Sequence, residues 1–293
     1  MGPSPILNSG KTIFVMTKHS RAEANSPGRA KTLSLLKHYI RGLGRSVALV
    51  QEYGRGTISF LGWSPRLLRN VSRLYPVAFQ ANRTIAKSGH GPALSEIPTF
   101  YINLERRKDR RILVEAELKS IGALGSTRFL AVENSLGILG CTRSHIGVLE
   151  MIEKSGSALS LVCEDDVEFL VDPSAIESLI REFAERRELD VLCLAYRLRA
   201  PRLRVSQTLA VANSIQTASC YVVRQQAVGP LLKSYRESER MLERGVDPKV
   251  AANDMHWKIA QTQSLFFCVP ASPMARQRPS FSDITGRVKD YGA

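Results

Sequence analysis

The 293-residue sequence contains no apolar run near the roughly 18 residues that a membrane-spanning helix needs, and its first residues, MGPSPILNSGK, lack the apolar stretch of a secretory signal. A non-exported, cytoplasmic protein is expected. Cysteine is sparse: Cys141, Cys163, Cys193, Cys220 and Cys268 are odd in number, lie in apolar stretches and form no C-x-x-C pair. That spacing argues against a zinc centre or a disulfide framework and for buried thiols. No RNA-recognition aromatic motif and no DNA-reading zinc finger is visible. Acidic residues are scarce at the front, where residues 1–100 carry 14 Lys/Arg against Glu23, Glu52 and Glu96. This places +11 of the formal net charge of +14 in the first third and favours an anionic partner there. With 44% hydrophobic and 23% charged residues, the chain is neither disordered nor fibrous.

Apolar periodicity divides what is present into two parts. In the front part, Lys11–Met16 and Ser46–Gln51 read as strands around a helix at Arg29–Gly42, one βαβ-like unit. Ser64–Val77 sets Leu67, Leu68, Val71 and Leu74 on one helical face and Arg66, Arg69 and Arg73 on another. That helix suits either an anionic membrane or a solvated surface. Gly, Ser and Pro then mark a linker over residues 89–98. Behind it strands and helices alternate: Thr99–Leu104, a helix over Glu105–Ile121, a helix over Thr142–Lys154, and a strand at Ala158–Cys163. A helix opened by Asp172-Pro173 follows, then Leu189–Leu194, a helix from Gln225 to Leu242, and Leu265–Val269. Such alternation predicts an α/β fold with a mostly parallel central sheet and a ligand site at the carboxyl ends of its strands.

Chemistry concentrates at three places. The apolar strand ending at Cys163 delivers Glu164, Asp165 and Asp166 to that sheet edge. Extended geometry sends Glu164 and Asp166 to one side, as two hard oxygen ligands for Mn²⁺ or Mg²⁺. A solvated acidic turn is the other reading of the same residues. Asn103–Arg111 (NLERRKDRR) joins a helix start to several cations and reads as a phosphate cradle or as a solvated basic face. His145 follows Gly140-Cys141-Thr142-Arg143-Ser144, where it serves either packing or catalysis.

In order, YINLERRKDR (Tyr101–Arg110), RFLAV (Arg128–Val132), GCTRSH (Gly140–His145), LVCEDDV (Leu161–Val167), TASCYVV (Thr217–Val223) and RQRPSFSDI (Arg276–Ile284) resemble glycosyltransferase family 25. That family contains lipopolysaccharide and procollagen galactosyltransferases. The resemblance covers about residues 98–286. It implies a GT-A-like domain over residues 99–286, a UDP-sugar donor, a divalent metal and inversion at the anomeric carbon. By position it assigns the metal to Glu164 and Asp166, and the donor to Asn103, Leu104, Asp109, Arg110, Ser144, His145, Asp165, Gln277, Ser282 and Asp283. Asp254, in AANDMHW (Ala251–Trp257), stands at the family's downstream acidic segment and is the candidate general base, with Trp257 as a platform for a sugar face; an exposed helical Asp beside a core Trp is the other reading. Residues 287–293 form a tail. The front, Lys11–Val50 with Ser64–Phe79, resembles the amino-terminal part of family 4 glycosyltransferases up to residue 88, without that family's donor-binding domain.

The expected function is metal-dependent transfer of a hexose, galactose above all, from UDP to a hydroxyl of a surface glycan such as lipopolysaccharide. The acceptor would be a glycan or lipid-linked glycan, and the basic front would hold the enzyme peripherally on the inner face of an anionic membrane. The alternatives are a non-catalytic binder of nucleic acid or membrane on a relic fold, and a nucleotidyltransferase.

Overall fold

A computed structural model describes residues 73, 74, 76–78, 91–198, 202–282 and 287–289. The strands and helix expected at 11–51, the partial Rossmann-like unit with them, and Asp283 lie outside the described residues. Residues 99–103 are buried along their whole length as β1 (Thr99–Asn103), and β3 (Leu159–Glu164) is buried up to Cys163. Unbroken burial is what a strand covered on both faces shows, and the runs are accordingly mostly apolar.

The central sheet has eight strands in the order β2-β1-β3-β10-β5-β11-β8-β7, where β2 is Thr127–Leu130, β5 Val191–Cys193, β7 Arg202–Arg204, β8 Leu209–Ala212, β10 Cys220–Arg224 and β11 Phe267–Pro270. Pairings β1–β2, β1–β3 and β5–β11 are parallel, whereas β10 runs against both β3 and β5, and β8 against both β11 and β7. Six strands therefore share one direction and two oppose it. The architecture is α/β with a largely parallel sheet.

Alternation along each strand divides the core. Tyr101, Leu161, Cys163, Leu192 and Val222 face one layer, together with α1 (Lys108–Ser120) through Val114 and Leu118 and α3 (Pro173–Glu185) through Ile176, Leu179, Ile180 and Phe183. Phe100, Ile102, Val162, Tyr221 and Val223 face the other, together with α2 (Gly137–Ser155), α4 (Gln225–Glu243) and α6 (Asn253–Gln263). A short helix, α5 (Pro248–Ala251), links the last two, with Asp247 capping it through the Lys249 N–H at 2.8 Å. In the span expected as a linker, a 3₁₀ turn at Leu94–Glu96 inserts Leu94 and Ile97 into the first layer.

Ahead of it, the described residues of the arginine-faced helix are helical and Leu74 is buried, as its apolar face implies. Arg73 fits neither the membrane-facing nor the solvated reading of that face. Its guanidinium donates to the Gln261 carbonyl, reaches the Leu265 carbonyl at 3.4 Å and lies 4.4 Å over the Phe266 ring, so it satisfies carbonyls at the end of α6.

Candidate functional site

The carboxyl ends of β1 and β3 open into a cavity of about 480 Å³. A ribbon of β4 (Val167–Phe169) and β12 (Ala275–Gln277), paired antiparallel, brings the C-terminal segment over the acidic turn, and the Arg278 N–H donates to the Asp166 carbonyl at 2.6 Å. Gln277 lines the cavity in consequence, as do Leu104, Arg110, Cys141, Ser144 and the three acidic residues.

Asn103 is fully buried at the last position of β1 and ties three segments together. Its Nδ2 donates to Asp165 Oδ2 at 2.7 Å and to the Arg107 carbonyl at 3.0 Å, while Arg128 Nε donates to its Oδ1 at 3.1 Å. Arg110, one turn into α1, places Nη1 2.7 Å from Asp165 Oδ1 and 3.3 Å from Asp166 Oδ2. The expected alternation fails here. The strand ends at Glu164, and the turn through Asp165 and Asp166 swings both aspartates onto Arg110.

Glu164 stands apart, with Oε1 3.1 Å from His145 Nε2 and 3.6 Å from Cys141 Sγ, and Oε2 accepting Gln277 Nε2 at 3.1 Å. Cys141 and His145 are one helical turn apart on α2, so both project toward the same strand end. Cysteine spacing read as C-x-x-C pairs missed this grouping. The i, i+4 spacing of a cysteine and a histidine on a helix is the signal for it, so the lack of C-x-x-C pairs does not argue against a metal-binding cluster at Cys141.

Electrostatics follow from the geometry. Burial would raise the Glu164 carboxyl, but His145, the Cys141 thiol and Arg110 outweigh it and hold it below its ordinary value. For Asp165, burial prevails over Arg110 and Asn103, and its pKa is raised. Burial, reinforced by the Glu164 charge, pushes Asp166 up to about 7, and its Oδ1 is a buried oxygen without a hydrogen-bond partner among the described residues. Burial and the charges of Glu164 and Asp254 push the Cys141 thiol well up.

The remaining expected residues distribute unevenly. Ser144 lines the cavity through a structural link: its Oγ accepts the Val132 N–H at 2.8 Å and donates to the Gly140 carbonyl at 2.7 Å. Asp109 points away, ion-paired with Arg107 at 2.8 Å and held at about 2 by that hydrogen bond. Asp254 does not line the cavity. Its Oδ2 accepts the N–H of Thr217, a residue at φ 82°, and burial raises its pKa. Trp257 is fully buried among Tyr221, Tyr235 and Phe267 and donates Nε1 to the Ile215 carbonyl at 2.8 Å, so it offers no face to a sugar. Ser282 lies in β13 (Ser280–Ser282), paired with β14 (Arg287–Lys289).

Compared with known proteins, the chain matches no family model and no curated sequence. Its reading therefore rests on the chemistry of this cavity.

A hard divalent cation suits part of the donor set. The unpartnered, buried Asp166 Oδ1 is an oxygen in need of a positive partner, and Glu164 Oε2 is engaged by a single amide. Arg110 already offsets part of the aspartate charge, and among the described residues no helix is long and apolar enough to cross a membrane.

Proposed function

We propose that the chain is a glycosyltransferase of GT-A type, moving a hexose from a UDP-sugar to a glycan hydroxyl with a divalent metal ion at the acidic turn. The observation that carries this reading is the composition of one cavity. Leu104 and Arg110, Ala131 and Val132, Cys141 and Ser144, Glu164 to Asp166, and Gln277 come from five separate segments of the family 25 resemblance, and all of them line it.

In this reading Glu164 and Asp166 hold the ion, which when bound offsets charge on the departing diphosphate. Arg106 and Arg110, which both line the cavity, present guanidinium groups to phosphate oxygens. Asn103 and Arg110 fix Asp165, so the turn that presents Asp166 is braced from behind. The 131–136 segment forms the opposite wall, held on α2 by Ser144.

The acceptor hydroxyl must lose its proton as the new bond forms, a role for a carboxylate outside the ion's own set. Asp254, the expected base, is engaged by Thr217 and lies off the cavity, so its nearer role is to hold the 217–219 loop beside Glu164. Glu133 lines the cavity at its rim, 3.3 Å from Arg106, and is the more accessible carboxylate.

Incubation of the full chain with a panel of nucleotide sugars and Mn²⁺ tests the assignment without an acceptor. Slow UDP release from a UDP-hexose, lost in Asp166→Asn, is expected. Folded protein that releases nucleotide from no sugar donor, or that instead forms pyrophosphate from a nucleoside triphosphate, overturns it.

A further inference from the structure

Cys141, His145 and Glu164 each turn one ligand atom toward a common point, all three atoms within 4.8 Å of one another. Glu164 Oε1 lies 3.1 Å from His145 Nε2 and 3.6 Å from Cys141 Sγ. A tetrahedral zinc ion with bonds of about 2.0–2.3 Å separates its ligand atoms by roughly 3.3–3.6 Å. The two separations to Oε1 therefore need only small adjustment.

The surroundings resemble those of a built metal centre. A ligating histidine ordinarily engages its second ring nitrogen, and His145 Nδ1 lies 3.3 Å from the Tyr221 hydroxyl, with the ring 6.0 Å from that of Tyr221 in a stacked arrangement. The carboxylate is oriented likewise: the Gln277 amide holds Glu164 Oε2, which leaves Oε1 for the metal point. Access exists as well, because Cys141 and Glu164 line the cavity while His145 is fully buried behind them.

We propose that Cys141, His145 and Glu164 form a zinc site with three protein ligands and a fourth position open to the cavity. Thiolate and imidazole select a borderline-soft ion over Mn²⁺ or Mg²⁺. Binding releases the Cys141 proton to solvent, after which one thiolate and one carboxylate balance the ion's two charges. Without metal the same atoms are held together by hydrogen bonds to Glu164, so the ligands are already assembled. An open fourth position is the arrangement of zinc centres that bind water or substrate oxygen. Binding here needs no sugar donor, but the site shares Glu164 with the ion proposed above: zinc takes Oε1, which leaves Oε2 and Asp166 to the harder ion.

Titration of the full, chelator-treated chain with Zn²⁺ alone and with Co²⁺ alone provides the test. One Zn²⁺ per chain is expected, and Co²⁺ should give a near-ultraviolet sulfur-to-metal charge-transfer band of the intensity of one Co–S bond. Cys141→Ser and His145→Gln should each weaken Zn²⁺ binding at least about 100-fold, and Asp166→Asn by less than about threefold. Because the Co²⁺ spectrum is read on the wild type, misfolding of a variant does not remove the test. Absence of the band, unchanged Zn²⁺ affinity in folded Cys141→Ser, or equal losses in Asp166→Asn and Cys141→Ser each overturn the assignment. No nucleotide sugar enters the measurement, so its failure is distinct from failure of the glycosyltransferase reading.

Discussion

Burial and the neighbouring Glu164 charge push the Asp166 carboxyl to about 7, far above the roughly 3.9 of an unfolded aspartate. Between those two pH values the native chain keeps a proton that the unfolded chain has lost, so this residue's contribution to stability falls as pH rises and is lowest above 7. Asp166→Asn should therefore be more stable than wild type at pH 8 in EDTA, by at most about 4 kcal/mol, and melt higher, with the gain shrinking toward pH 4. A divalent ion reverses the sign, since Mn²⁺ should raise the wild-type melting temperature and leave that of the variant unmoved. Thermal melts at the two pH values, with and without Mn²⁺, check both statements. Arg110 is the opposite case. It bridges two buried aspartates at 2.7 and 3.3 Å, so Arg110→Met should cost about 3–5 kcal/mol at neutral pH and less in acid, where protonated aspartates no longer need it. Chemical denaturation at pH 7.5 and pH 4.5 measures the difference.

At the scale of elements, α2 carries two functions on adjacent stripes. Cys141 and His145 face Glu164, whereas Gly140 and Ser144 clamp the cavity wall: a Cβ on Gly140 would stand 2.4 Å from the Val132 carbonyl oxygen, and Ser144 Oγ accepts the Val132 N–H. Backbone cannot yield as a side-chain tip does. Gly140→Ala should thus displace residues 131–135 and cost about 1–3 kcal/mol, with weakened nucleotide binding, while Ser144→Ala should cost about 1–3 kcal/mol by leaving the Val132 N–H unpaired. Calorimetric melts and a nucleotide titration of each variant check this. Local pattern disclosed these elements because period-2 and period-3.6 burial are properties of a single segment. β1, β3, α1, α3 and α4 fall within a few residues of their expected bounds, and the apolar side of α3 is buried as its spacing implies. Partner choice is a different matter. On the exposed side of α1 the i, i+4 spacing offers Glu115 both Arg111 and Lys119, and it pairs with Arg111 at 2.8 Å while the Tyr101 hydroxyl also donates to that carboxylate from β1. The two reversed strands were equally hidden, since alternation records which face is buried but not which way a neighbour runs. Of the site, the acidic turn was legible because an apolar strand ends there. The division of labour between Glu164 and the two aspartates was not, because it depends on where Arg110 and His145 arrive from other elements.

For the whole molecule, the charge distribution separates recruitment from chemistry. Residues 1–100 carry +11, while the rest of the chain, with basic residues bound into ion pairs such as Arg143 with Glu239 and Glu243 or Arg236 with Glu150, is close to balanced at +3. A concentrated positive segment is attracted to an anionic bilayer over about a Debye length, roughly 8–10 Å at physiological salt, and each nearby Lys or Arg contributes about 1 kcal/mol. Arg73 is spent on the carbonyls at the end of α6, so any such attraction must come from the other thirteen basic residues of the front. Full-length protein should therefore sediment with vesicles containing phosphatidylserine, remain in solution with neutral vesicles, and detach as salt rises toward about 0.5 M, where the screening length is about halved. Arg73→Ala should leave this partition unchanged while lowering the melting temperature, because its guanidinium acts on protein and not on lipid. Equal binding to neutral and anionic vesicles, or binding that persists undiminished in high salt, would show that apolar insertion and not charge holds the chain at a surface.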